Sequence, residues 1–257
     1  MITINKMKLQ DLSNKLRLRI IEMSHKAKAP HLASSLSCVD IITSIYTSIL
    51  NIKVNEPKWN KRDRFILSKG HAATALYVVL AEIGILSEND LLSYTEKGSL
   101  LEEHPNPKLK GIEAATGSLG HGLSIGCGIA LSAKIKKENF KTYVLLSDGE
   151  CNEGSLWEGA LFASAKNLKN LYAIVDYNKW QATGRSNDVL AIDSLVKKFE
   201  AFNWNVTEID GHNHNEIIDS LKKNFNNQKP NILIANTIKG KGISFMEDDN
   251  NWHYRIP

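Results

Sequence analysis

Two short segments of this 257-residue chain pair oxygen donors with the room that a phosphate needs. Tyr143-Val-Leu-Leu-Ser147 is an apolar run that stops at Asp148-Gly149. Leu171-Tyr-Ala-Ile-Val-Asp176 is a second such run, and it stops at Tyr177-Asn178. Short apolar runs bounded by turn residues read as buried strands. If the two strands are parallel neighbours, Asp148 and Asn178 meet at their carboxyl ends. A carboxylate and an amide oxygen suit a hard octahedral cation, Mg²⁺ above all, with Ca²⁺ or Mn²⁺ as substitutes. Two oxygens leave most of that shell to phosphate, backbone carbonyls and water. Gly149 has no Cβ, so a diphosphate can close onto the backbone there. Asp-Gly alone is a common turn after a strand; the pair within one strand–helix–strand unit is what carries information.

The elements that position these residues alternate. A helix is expected near Leu156–Ala165 and another over about Ile192–Phe202. Strand-like Asn205–Ile209, a helix near Asn215–Phe225 and strand-like Asn231–Asn236 follow. Such alternation predicts an α/β fold: three layers, with a mainly parallel sheet flanked by helices. Ligands of such sheets sit beyond the carboxyl ends of the strands. The first third reads as helical. Leu9, Leu12, Leu16, Ile20 and Met23 recur at the period of one helix face. Ser37-Cys38-Val39-Asp40 reads as a capping box opening a second helix before Ile41, Ile42, Ile45 and Ile49. A third helix is expected over about Ala72–Ile83. Repeats, low-complexity tracts and linkers are missing from the sequence, which predicts a single domain over residues 1–257.

Composition narrows the class. Apolar residues make up 42% and charged residues 23%, as in a soluble globular chain. The net charge of +4 is spread along the chain and forms no basic arm, which argues against a dedicated nucleic-acid binder. The most apolar window, Ala72–Leu86, carries Glu82 and falls short of the roughly 18 residues that a membrane span needs. Met1–Lys8 has no apolar run of signal-peptide length. Cys38, Cys127 and Cys151 are far apart and form no Cys-x-x-Cys pair, which fits a reducing, cytoplasmic setting.

Asp148-Gly149 followed by Asn178 resembles the thiamine-diphosphate motif, whose family form is Gly-Asp-Gly and a later Asn; Ser147 replaces the first Gly. The segment from Gly149 to Glu158 is similar to the transketolase version of that motif. So are Lys69-Gly70-His71-Ala72, Thr116-Gly117-Ser118-Leu119-Gly120, Asp210-Gly211-His212 and Lys239-Gly240-Lys241-Gly242. The resemblance runs in order from about Met7 to His253. The chain resembles the N-terminal, diphosphate-binding subunit of a split transketolase.

The resemblance implies that Asp148, Asn178 and the carbonyl of Trp180 ligate Mg²⁺. Trp180 departs from the usual small aliphatic residue there. It implies that His71, Gly117, Ser118, Leu119, Gly149, Glu150, Asn178 and His253 bind thiamine diphosphate. It gives catalytic roles to four histidines. His71 contacts the diphosphate and the substrate entrance, His31 and His253 handle hydroxyl protons of the donor, and His104 hydrogen-bonds the two-carbon fragment. Glu153 and Glu158 correspond to family acids at the subunit interface, although acids also favour a helix start through its dipole. His121 stands where Gln is common beside the cofactor loop. His212 has a structural role, and His25 and His214 have no assigned one. Gly120-His121-Gly122 begins like a dinucleotide fingerprint, but the next glycine, Gly126, breaks the spacing. Lys239-Gly240-Lys241-Gly242 reads as a loop after the last strand.

The family's catalytic Glu lies on a pyrimidine-binding domain, and no counterpart can be assigned in this sequence. Pyrimidine and C-terminal domains are therefore expected on a separate chain, in an α2β2 assembly acting on sugars or sugar phosphates. Pro30, Ala33 and Ser34 replace glycines around His31, and Glu103 and Tyr254 stand where Gly is usual beside His104 and His253. These departures point to a modified sugar. The expected activity is transfer of a two-carbon ketol unit from a ketose to an aldose. The competing readings are a component of a 2-oxo acid dehydrogenase or synthase, and a non-catalytic nucleotide-binding scaffold. Lys69-Gly70-His71 and Trp252-His253 favour transketolase over the former.

Overall fold

The computed structural model of the chain describes residues 6–223, Phe225 and 227–257, with side chains from residue 9 onward. Residues 1–5, within the stretch inspected for a signal sequence, lie outside the described residues, as does Asn224 of the helix expected near 215–225.

Five strands form one parallel sheet: β1 (Arg64–Leu67), β2 (Thr142–Ser147), β3 (Leu171–Tyr177), β4 (Asn205–Asp210) and β5 (Asn231–Asn236). Their spatial order is β1-β2-β3-β5-β4. Alternate residues of each strand enter opposite cores. On β2, Tyr143 and Leu145 pack on one face with α1 (Lys6–Ala27), α2 (Leu32–Ser48), α3 (Ala73–Glu82) and α9 (His214–Lys222). Val144 and Leu146 pack on the other with α5 (Gly122–Lys136), α6 (Gly154–Ala165) and α8 (Leu195–Ala201). The short helices α4 (Glu88–Leu92) and α7 (Ser186–Val189) lie in connections. Both sheet faces are thus covered, which is why the central strands are apolar throughout.

The expected capping box at Ser37–Asp40 is wrong. α2 opens at Leu32, after His31 in a left-handed conformation (φ 66°). Ser37 and Asp40 lie inside it, fully buried. Their polar groups serve other segments: Ser37 donates to Asp176 at 2.6 Å, and Asp40 pairs with Arg17. The true start is hidden in the sequence because α2 is buried continuously from Leu32 to Tyr46, so no polar face marks its period.

Two positioning elements have no sequence signal strong enough to find them. β1 is four residues long. α5 contains Gly122, Gly126 and Gly128, which lower helix propensity. Close packing explains Gly126: a Cβ there would stand 2.5 Å from Val144 Cγ2 on β2. The helix expected from Ile192 begins at Leu195, behind a Ser194 cap that accepts from the Lys197 N–H.

Candidate active site

β2 and β3 pair in register with Ser147 opposite Asp176. Asp148 and Asn178 therefore leave the sheet at nearly one level, as their spacing predicts. Asp148 is fully buried. One carboxylate oxygen accepts the Gly149 N–H at 2.9 Å and the other the Ser186 hydroxyl at 2.8 Å. Both partners are neutral, and burial pushes the carboxyl up to about 6. A cation at this point would offset the desolvation that raises it.

Asn178 is held at both ends of its amide. Nδ2 donates to Ser37 Oγ at 3.3 Å, and Oδ1 accepts the Trp180 N–H at 3.1 Å. An amide oxygen has two lone pairs, so one remains for a ligand. The Trp180 indole turns away, donating to Asp248 Oδ1 at 2.8 Å, with the Arg185 guanidinium 3.9 Å from its ring. Among the described residues no three His, Cys, Asp or Glu side chains converge on a metal position. The donor set here is one carboxylate, one amide and a carbonyl, which fits an oxygen-seeking cation that keeps phosphate and water as its remaining ligands.

Beneath Asn178 lies a charged network. Lys69 and Asp176 form an ion pair with both side chains fully buried. Burial works against a charged Lys69, but Asp176 outweighs it and raises the lysine's pKa. Asp176 also accepts from Ser37 and Thr237. Ser37 therefore links the ion pair to Asn178.

The four candidate histidines come from four distant segments and meet here. Ring centroids lie 5.3 Å apart for His31 and His71, 5.5 Å for His31 and His253, 6.0 Å for His71 and His253, and 6.5 Å for His31 and His104. Each is fixed locally. The His31 N–H donates to the His253 carbonyl at 3.1 Å. His71 sits in the turn Gly70–Ala72 after β1. The Tyr77 hydroxyl donates to the His104 carbonyl at 3.1 Å. Gly117 (φ 135°) lies against the His104 ring, where a Cβ would stand 2.5 Å from Cδ2. Burial first, then nearby positive groups, lower His31 to about 4 and His253 to about 3, and put His71 well below its usual value.

Lys239 belongs by sequence to a loop, yet it is fully buried and faces this cluster. Its Nζ lies 2.7 Å from His253 Nδ1 and donates to Asn250 Oδ1 at 2.8 Å. Burial, then Lys69, lowers it to about 7. Gln181 is a second residue that the sequence does not single out. Its Nε2 is a buried donor with no partner, and its side chain passes 3.2 Å from the place of a Cβ on Gly149. A Lys-Gly-Lys-Gly run and a lone Gln carry no period or motif that marks such roles.

The loop of Gly117, Ser118, Leu119 and Gly120 is held from below. Glu150 is fully buried and accepts from the Gly120 N–H at 2.9 Å, from Ser68 and from the Ser147 N–H at 3.3 Å. Its carboxylate is thus occupied by the protein itself; burial raises its pKa. Glu153 and Glu158 are exposed, at the cap and on the outer face of α6. His121 is exposed, with Nδ1 3.2 Å from the Ser118 carbonyl. His212 bridges Asp40, at 2.8 Å, and the Ile238 N–H, at 2.9 Å, so its structural reading holds. His214 is buried between Ser13 and Ser44.

A thiamine-diphosphate half-site is what this fold and donor set define. The sequence pattern of residues 9–254 matches the family described as transketolase, thiamine diphosphate binding domain, and the chain belongs to that family. It is 43% identical over 246 residues to one of the two subunits of the apulose-4-phosphate transketolase of Phocaeicola vulgatus, covering 95% of this chain and 88% of that one. It is 37% identical over 241 residues to the 6-deoxy-6-sulfo-D-fructose transketolase subunit SqwG of Clostridium sp. (strain MSTE9), covering 93% and 88%. The solved transketolase of Campylobacter jejuni has a TM-score of 0.93 and 31% identity over 99% of this chain, but only 41% of that chain is spanned.

Proposed function

We propose that the chain is the cofactor-holding N-terminal subunit of a two-chain transketolase. It transfers a two-carbon ketol unit from a modified ketose or ketose phosphate to an aldose acceptor. The observation that carries this reading is the four-histidine cluster, gathered at the sheet end where Asp148 and Asn178 emerge. The modified donor is supported by two relatives named for apulose 4-phosphate and 6-deoxy-6-sulfo-D-fructose.

Asp148, Asn178 and the Trp180 carbonyl would hold Mg²⁺, with the diphosphate against Gly149 and the loop from Gly117 to Leu119. Bound thiamine diphosphate supplies the electron sink for carbon–carbon cleavage. Lys69 and Lys239 contribute positive charge beside it. Depressed pKa values keep His31, His71 and His253 neutral at pH 7, so each ring offers one donor and one acceptor. With Lys239 charged, Nδ1 of His253 accepts, and its Nε2–H faces outward to a donor hydroxyl. His31 is free to take a hydroxyl proton, and His104 hydrogen-bonds the two-carbon fragment.

The pyrimidine-side Glu comes from a separate chain in a cytoplasmic α2β2 assembly. Exposed Glu153 and Glu158 support that contact face, and three free, buried cysteines support a reducing compartment. The test is calorimetry and ketol-transfer assay of the chain co-expressed with the product of the neighbouring reading frame. Expected are Mg²⁺-dependent cofactor binding and transfer by the pair, with none by this chain alone. Full transfer by the single chain would overturn the two-chain reading. Asp148→Ala should abolish Mg²⁺-dependent binding, and unchanged affinity would overturn the ligand assignment.

A further inference from the structure

The histidine cluster has an inner and an outer side. Lys69, fully buried, marks the inner side, and His71 follows two residues later. Tyr254, 61% exposed, marks the outer side. Its ring packs edge-on against His253, with centroids 4.6 Å apart at 69°, and against His31, 5.3 Å apart at 67°. Tyr254 makes no ring contact with His71 or His104 among the described residues. It therefore covers only the outward pair.

The backbone around Tyr254 is anchored on both sides. His253 N–H donates to the Asn250 carbonyl at 2.9 Å, and the His253 carbonyl accepts from His31 at 3.1 Å. Beyond it, the Pro257 carbonyl lies 2.9 Å from His25 Nδ1. The Trp252 ring packs on Phe245 at 5.4 Å and beneath the Arg255 guanidinium at 5.2 Å. A tethered segment that presents an exposed ring over two neutral imidazoles forms a fixed wall.

Resting on the ketol-transfer reading, we propose that Tyr254 is the specificity-determining wall of this site: it orients His31 and His253 and selects ketose donors by their carbon skeleton beyond C2. The chemistry follows from the bond that breaks. Ketol transfer cleaves the C2–C3 bond of the donor, so C1 and C2 go to the inner histidines. C3 and everything attached to it lie outward, against Tyr254. An uncharged ring packs on C–H faces and offers one hydroxyl for hydrogen bonding. It reads branching and bulk at C3 and C4, and gives little to a distal anion.

The reconstituted pair tests this with three donors: D-xylulose 5-phosphate, apulose 4-phosphate and 6-deoxy-6-sulfo-D-fructose. Tyr254→Gly should change the ratio of kcat/KM between the best and the poorest donor by about tenfold or more, mostly through KM. Tyr254→Phe should keep the ratio within about threefold, because it retains the ring. Unchanged selectivity of Tyr254→Gly in an active pair overturns the proposal and leaves the ketol-transfer reading standing. A wild-type pair that transfers no ketol unit from any ketose overturns both. NMR of labelled histidines in the free chain supplies a readout without turnover. Tyr254→Gly should shift the ring signals of His31 and His253 and raise their pKa values, and leave those of His71 and His104 in place. Four unmoved signals would overturn the wall itself.

Discussion

Burial decides the protonation of the residues that face the candidate ligand. His31 and His253, lowered to about 4 and about 3, and His71, lowered well below its usual value, resist charging in the folded chain. In the unfolded chain each titrates near 6.5. Between those values the unfolded state binds more protons, so this contribution to stability is complete above pH 6.5 and is lost as pH falls toward 3. Urea midpoints should therefore drop steadily between pH 6.5 and 4, and the His31→Asn/His253→Asn double variant should flatten that slope. An equal slope in both proteins would refute it. Gln181 makes the opposite kind of case, a buried amide donor left without a partner. Gln181→Leu should leave thermal stability level or raise it, because an unsatisfied donor is removed. Cofactor affinity should fall about tenfold, the worth of one hydrogen bond to a charged group. Calorimetry beside a melting curve checks both halves. The four histidines are legible in the sequence only because each lies in a recognisable motif; their convergence is a tertiary fact. Lys239 and Gln181 have no such motif, and only their burial reveals them.

At the scale of elements, one buried carboxylate fastens three helices to the loop that carries Lys239. Asp40 on α2 pairs with Arg17 on α1 and with His212 ahead of α9. Arg17 Nε also donates to the Lys241 carbonyl at 3.1 Å, and His212 accepts from the Ile238 N–H at 2.9 Å. The arginine and histidine outweigh burial and hold the Asp40 carboxyl below its usual range. Asp40→Ala would strand a buried guanidinium, so a loss of about 3–5 kcal/mol is expected in denaturant unfolding. A loss below about 1 kcal/mol would show that water replaces the carboxylate at little cost. The same residue mimics a helix cap in the sequence, because Ser-x-x-Asp ahead of an apolar run carries that signal wherever the helix really begins. The strands from β2 to β5 are legible because short apolar runs stand between turn residues. β1 is too short, and α5 too rich in glycine, for period or propensity to show them; pairing with β2 and packing on it create both.

For the molecule as a whole, the outer face of α6 bears on assembly. Glu158, Leu161 and Phe162 stand at helical spacings of three and four, so they share one side. All three are exposed, Leu161 at 61% and Phe162 at 40%. The opposite side, Leu156, Gly159, Ala160 and Ala163, is buried against the body of the chain. Among the described residues, then, α6 has its own core face satisfied and a second apolar strip in water. Its first turn also lies beside the cofactor loop, since Ser155 Oγ donates to the Gly120 carbonyl at 3.1 Å. A partner seated on this strip would reach the edge of the half-site that this chain provides. Leu161→Asp separates folding from assembly. The side chain already faces solvent, so the free chain should melt within about 1 °C of wild type, as a surface substitution does. Charge placed at the centre of a contact is left unpaired on docking, which costs several kcal/mol and weakens association at least about a hundredfold. Sedimentation of the co-expressed pair should then show separate chains where wild type shows a complex, with ketol transfer lost in step. An intact Leu161→Asp complex would move the contact away from α6 and leave Glu153 and Glu158 as ordinary helix-start acids.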